Sequence, residues 1–70
     1  NAERSVECAE VLFNTGLCFE SSRNKERALD AYNEAARIFR EHGYKDSHPH
    51  LAKATRKIAR LQTGEKVRIN

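Results

Sequence analysis

Residues 13–39, FNTGLCFESSRNKERALDAYNEAARIF, hold the feature on which the architecture turns. Gly16 lies between Phe13 and Phe19 in an otherwise helical pattern. A mid-helix glycine costs about 0.5–1 kcal/mol relative to alanine, so packing has to repay the missing side chain. Further along, Ala28, Tyr32 and Ala35 recur at helical spacing. If the two stretches form an antiparallel hairpin, Gly16 removes a Cβ so that two backbones can meet at the crossing. Ala28 and Ala35 then offer small surfaces opposite, while Phe19 and Tyr32 fill the space beside the contact.

On either side of this segment the same periodicity continues. Val6, Ala9, Leu12, Phe13, Gly16 and Phe19 form one stripe, which predicts a first helix from about Glu3 to Ser21. Ser21-Ser22-Arg23-Asn24 breaks it, and Asn24 is a suitable N-cap for a second helix. That helix is expected over Lys25 to His42, with Ala28, Ala31, Tyr32, Ala35, Ile38 and Phe39 inward and Gly43 closing it in the left-handed conformation. In the loop YKDSHPH, Ser47 or His48 can cap and Pro49 suits a first helical turn. The third helix is expected from Pro49 to Gln62, with Leu51, Ala54, Ile58 and Leu61 inward. Thr63-Gly64 is expected to end it, leaving residues 63–70 as an unassigned tail.

Composition agrees with a single all-α domain over residues 1–70. The chain is 39% apolar and 33% charged, too apolar for disorder, and at 7% aromatic too poor in sheet-forming residues for a β fold. No apolar run has the length of a membrane span, and nothing resembles a signal peptide. Cys8 and Cys18 lie ten residues apart on one predicted helix, about 15 Å by helical rise and beyond disulfide reach. They read as two small buried hydrophobes, and unpaired thiols point to an intracellular, cytoplasmic setting. Charge is uneven: residues 1–44 carry six basic and eight acidic side chains, whereas residues 45–70 carry seven basic and two acidic. The basic end suits an acidic partner.

The chain also repeats itself. A shift of 43 residues lays the third predicted helix on the first, matching Ala9 with Ala52, Val11 with Ala54, Thr15 with Ile58, Gly16 with Ala59 and Cys18 with Leu61. The spaced set Leu12, Gly16, Phe19, Ala28, Tyr32 and Ala35 resembles the tetratricopeptide repeat (TPR). Leu12 stands where a Trp or other large residue is usual, Thr15 where Leu is expected, and Arg40 where the family has Pro. The longer second helix followed by SHPHLAKATRKIA is similar to the longer repeats of kinesin light chains, with their His-Pro lead-in to the next helix. The resemblance covers residues 6–62, one repeat plus the first helix of another. It implies a helical hairpin and third helix in a right-handed superhelix, either excised from a longer array or capped by the third helix. Exposed solenoid ends would also favour self-association. The microtubule-interacting-and-transport domain, another three-helix unit, resembles the chain second because it typically lacks the His-Pro lead-in; that resemblance would imply binding of a partner helix.

Lys53, Arg56, Lys57 and Arg60 share one face of the third predicted helix. Such a face is either solvated or a positive field for an acidic peptide. The TPR resemblance implies a non-catalytic protein–protein interaction scaffold whose groove is lined by the first helix of each pair. Glu10, Phe13, Asn14 and Leu17 would line it from one repeat, and Lys53, Arg56, Lys57 and Arg60 from the next. By the same resemblance Asn14 would hydrogen-bond a peptide backbone, while Lys53 and Lys57 match basic positions of carboxylate-clamp members. A full clamp needs a preceding repeat. His42, His48 and His50 cluster near the second loop but lack a fourth ligand at metal-site spacing. No phosphate-cradling loop or activated-nucleophile signature appears, so neither enzyme nor cofactor is expected. Nucleic-acid binding through the basic helix is the alternative, weakened by the absence of aromatics from that helix.

Overall fold

The computed structural model describes the backbone of residues 4–69 and the side chains of residues 4–63. It is an all-α fold of three helices: α1 (Val6–Ser21), α2 (Lys25–Glu41) and α3 (Pro49–Ile69). The helix starts and stops follow from local hydrogen bonding, and in three places they correct the expected bounds. Glu3, the expected start of α1, lies outside the described residues, and Ser5 is the N-cap. Its extended backbone excludes it from the helix, while its Oγ accepts the Cys8 N–H at 3.2 Å. Asn24 does occupy the N-cap of α2, but its side chain makes no capping bond. Its N–H is instead committed backward, donating to the Phe19 carbonyl at 2.8 Å. Gly64 does not stop α3, which continues to Ile69. One glycine inside a helix costs only about 1 kcal/mol, and no positive φ is adopted there to turn the chain.

Both loops are built from the same device. α2 ends one residue short of the expected His42, which is its C-cap. Gly43 comes next at φ +87°, the Gly43 N–H donates to the Arg40 carbonyl at 2.9 Å, and the Tyr44 N–H donates to the Phe39 carbonyl at 3.0 Å. This is a Schellman closure, and its usual apolar contact is the Tyr44 ring stacked on Phe39 at 5.1 Å between centroids. α1 closes in the same way through Arg23, which adopts φ +65° where glycine is usual. α3 opens with His48 as cap, its Nδ1 accepting the His50 N–H at 3.1 Å, and Pro49 in the first turn.

α2 is the centre of the molecule. α1 and α3 each pack on it, and their backbones stand apart from each other. Ala28, Ala31, Tyr32, Ala35, Ala36, Ile38 and Phe39 are all buried, and Ala9 from α1 with Leu51 and Ala54 from α3 complete the buried hydrophobic set. An alanine-rich α2 suits this position, because short side chains let a neighbour approach from either flank. Ile58 and Leu61, both expected inward, are half-buried. The cysteines depart from expectation. Both are free, but Cys8 is half-buried and Cys18 is exposed. Cys18 lies two residues beyond buried Gly16, about 200° around the helix, and so shares the outer side of α1 with Val11, 62% exposed.

Gly16 serves a side chain and not a backbone crossing. A Cβ placed there would lie 2.6 Å from Cε1 and 2.7 Å from Cδ1 of Tyr32. The fully buried Tyr32 ring thus lies directly over the glycine, rather than beside the contact as the spacing suggests. Phe13 packs on the same ring at 5.3 Å between centroids. The Tyr32 hydroxyl donates to Glu20 Oε1 at 2.7 Å, and Arg60 of α3 pairs with Glu20 Oε2 at 2.5 Å. One carboxylate therefore joins all three helices.

Burial, then the hydrogen bond to Glu20, pushes the Tyr32 phenol well above its ordinary value of 10.0. A pKa raised on folding stabilises fully below the unfolded pKa and is lost as pH rises through the folded one. The domain should therefore lose stability from about pH 10 upward, by at most about 1.4 kcal/mol per pH unit from this group. Denaturation midpoints measured from pH 8 to 11 should show that slope in the wild type and a smaller one in Tyr32→Phe. Equal slopes would dissociate the phenol from alkaline unfolding.

Candidate peptide groove between the first and third helices

α1 and α3 run in the same direction on one side of α2. Glu10 faces His50, Phe13 faces Lys53 and Glu20 faces Arg60, a constant separation of 40 residues. Because the two backbones both seat on α2 and stand apart from each other, a channel bridged by these side chains lies between them. Within it lies a cleft of about 390 Å³ lined by Glu10, Phe13, Asn14, Leu17, Phe39, His50 and Lys53. This falls within the usual 300–1,000 Å³ range of ligand pockets.

Five of the eight residues singled out in the sequence meet in this cleft: Glu10, Phe13, Asn14, Leu17 and Lys53. Lys57 and Arg60 border its shallower continuation together with Leu17, Glu20 and Ser21. Arg56 lies with the other three cations along α3. Two further lining residues come from outside that set. Phe39 belongs to the inward stripe of α2, and at 2% exposure it is core, yet it also lines the cleft. His50 reads in the sequence as part of a histidine loop, but it precedes Lys53 by three residues and Lys57 by seven, which places it on their helix face.

The electrostatics are unequal along the channel. At one end His50 Nε2 lies 3.9 Å from Glu10 Oε2. In the middle Lys53 Nζ sits 5.4 Å from the Phe13 ring centroid, within cation–π range. At the far end Arg60 is compensated by Glu20. Lys53, Arg56 and Lys57 form no ion pair among the described residues. Of these three cations, Lys53 and Arg56 are exposed and Lys57 is half-buried.

Of the three histidines near the second loop, His48 and His50 come together, 5.2 Å between ring centroids. The His42 ring donates from Nε2 to the Arg4 carbonyl at 2.5 Å, while His48 packs on Tyr44 at 4.2 Å. Among the described residues no group of three or more His, Cys, Asp or Glu side chains could hold a metal ion. No helix there is long and apolar enough to cross a membrane. A second, shallower depression on the other flank of the hairpin is lined by Leu12, Thr15, Phe19 and Ala31 and rimmed by charged residues of α2.

Comparisons of the chain with protein-family models, with curated proteins and with solved structures find no match in any of the three.

Proposed function

We propose that the chain is a non-catalytic interaction module of TPR-like design that holds an acidic peptide segment of a partner protein in the groove between α1 and α3. The observation that carries this reading is the meeting of apolar lining, a peptide-compatible amide and Lys53 in one cleft, with Arg56 and Lys57 following Lys53 along α3. Phe13, Leu17 and Phe39 offer apolar surface, and Asn14 gives and accepts a hydrogen bond at once, as a peptide backbone requires. Lys53, Arg56 and Lys57 supply charge that speeds encounter and fixes orientation more than it adds affinity. The TPR reading is supported by the spaced set Leu12, Gly16, Phe19, Ala28, Tyr32 and Ala35 and by the ring of Tyr32 against Gly16. Two free thiols suit an intracellular setting. The apolar flank at Leu12 and Phe19 suits self-association or a further repeat.

Selection of extended peptides from a display library should enrich net-acidic sequences. For these, Lys53→Glu combined with Lys57→Glu should weaken binding by more than about tenfold at low salt, and less at high salt, without changing the thermal midpoint. Asn14→Ala should weaken it severalfold through a lost hydrogen bond. Equal affinity across all variants would leave the basic face merely solvated. Retention of single-stranded RNA with a steep salt dependence would favour the nucleic-acid alternative.

A further inference from the structure

Pro49 has no N–H, so the first backbone donor of α3 is the N–H of His50. Its partner is Nδ1 of His48, 3.1 Å away. A backbone N–H can only donate, so this nitrogen presents a lone pair and the neutral ring carries its proton on Nε2. The cap therefore exists only while His48 is neutral. Protonation puts a hydrogen on Nδ1 and turns the acceptor into a donor that faces another donor. It also sets a positive charge at the positive end of the helix dipole. Serine, threonine or asparagine at an N-cap has no such dependence, because its oxygen accepts in acid as well as at neutral pH.

The surroundings give a charge on His48 no compensation. Its half-buried ring has Tyr44 at 4.2 Å and His50 at 5.2 Å between centroids. From α1, Glu10 faces His50, with Oε2 3.9 Å from Nε2, and from α2 the uncharged Phe39 ring lies 5.9 Å from His50. Lys53, three residues beyond His50, extends over Phe13. Within the loop, Asp46 is directed to Arg40 at 3.7 Å, and Lys45 meets His48 through its carbonyl, which accepts the His48 N–H at 2.8 Å. No carboxylate pairs with His48 among the described residues. We propose that His48 is a pH-sensitive latch on α3: its neutral ring holds the first turn, and its protonation releases that turn in mild acid. The turn contains His50, which lines the cleft, and leads through buried Leu51 to Lys53 on the same wall. Acid thereby loosens one wall of the cleft beside Glu10, whatever the cleft holds. The rest of α3 stays seated through Leu51 and Ala54.

The test follows the whole chain by nuclear magnetic resonance and thermal melts at about pH 8 and about pH 5, which bracket histidine titration. At the higher pH the wild type should show His48 as the Nε2–H tautomer, with helical Cα shifts at His50 and Leu51. At the lower pH the helical shift at His50 should fall, and the population of the closed turn should drop roughly fivefold, as expected for one lost cap. His48→Asn keeps an accepting oxygen that does not titrate, so its first turn should be equally ordered at both pH values. His48→Ala should be loose at both. Glu10→Gln removes the carboxylate that faces His50 and should leave the wild-type response in place. On acidification the thermal midpoint of the wild type should fall below that of His48→Asn by a few degrees, at most about 8 °C. A wild-type turn equally ordered at both pH values overturns the proposal, as does an Nδ1–H tautomer at the higher one. A response that persists in His48→Asn or vanishes in Glu10→Gln belongs to another group and overturns it too. So does a well-ordered first turn in His48→Ala, which would make the cap dispensable.

Discussion

Gly16→Leu should abolish the native fold at ordinary temperatures. Even a methyl at this position would lie 2.6 Å from the Tyr32 ring, closer than atoms in contact allow. Tyr32 has nowhere to retreat, because its ring is fully buried and packed on Phe13 while its hydroxyl is held by Glu20. Overpacking typically costs about 1–3 kcal/mol or more, and a chain of this length has roughly 4–10 kcal/mol of total stability. Gly16→Ala is the informative companion. Helix propensity alone would favour alanine by about 1 kcal/mol, so a lowered thermal midpoint in Gly16→Ala would mean that the ring contact outweighs propensity. A raised midpoint would show that Tyr32 moves aside easily and that the glycine is not a packing requirement.

Removal of residues 49–70 should be comparably severe. α3 contributes Leu51 and Ala54 to the buried cluster that also contains Ala9, Ala35, Ala36, Ile38 and Phe39. Burying a large aliphatic side chain contributes about 1.5–3 kcal/mol, and losing Leu51 alone would remove a large part of the stability of so small a unit. The truncation would also bare the side of α2 that carries Ile38 and Phe39, an apolar patch that promotes aggregation. It would further detach Arg60 from Glu20. Circular dichroism and analytical ultracentrifugation of residues 1–48 should show lost cooperativity or association. A monomeric, helical, cooperatively melting fragment would mean that the hairpin is a complete fold and that α3 only leans on it.

Both expectations turn on α2, whose role divides the features legible in residue order from those that are not. The stripe Ala28, Ala31, Tyr32, Ala35, Ile38 and Phe39 has inward-facing spacing, and every member is buried. Gly43 stands where a left-handed closure is expected and has φ +87°. These are local properties, since helical periodicity and the backbone demands of a cap are written within a few residues. The cation face of α3 is legible for the same reason, whereas the α1 residues across from it are expected only through the TPR resemblance.

Residue order alone thus specifies three helices, their inward stripes and the loop chemistry between Glu41 and Pro49. The contacts that join different helices depend on how those helices pack. Packing sets the Tyr32 ring over Gly16, where the pattern suggests two backbones meeting, because spacing reveals which residues face a neighbour but not which atom fills the gap. It pairs Arg60 with Glu20 and so leaves three of the four candidate cations without an ion-pair partner among the described residues. It also makes the core residue Phe39 part of the lining of a cleft and brings His50 beside Glu10. The extension of α3 past Gly64 to Ile69 is likewise closed to sequence reading, since a glycine marks a helix end only when the backbone adopts a positive φ there. Periodicity fixes the face a residue occupies. The offset of 40 residues between α1 and α3, on which the groove depends, is set by how both helices seat on α2.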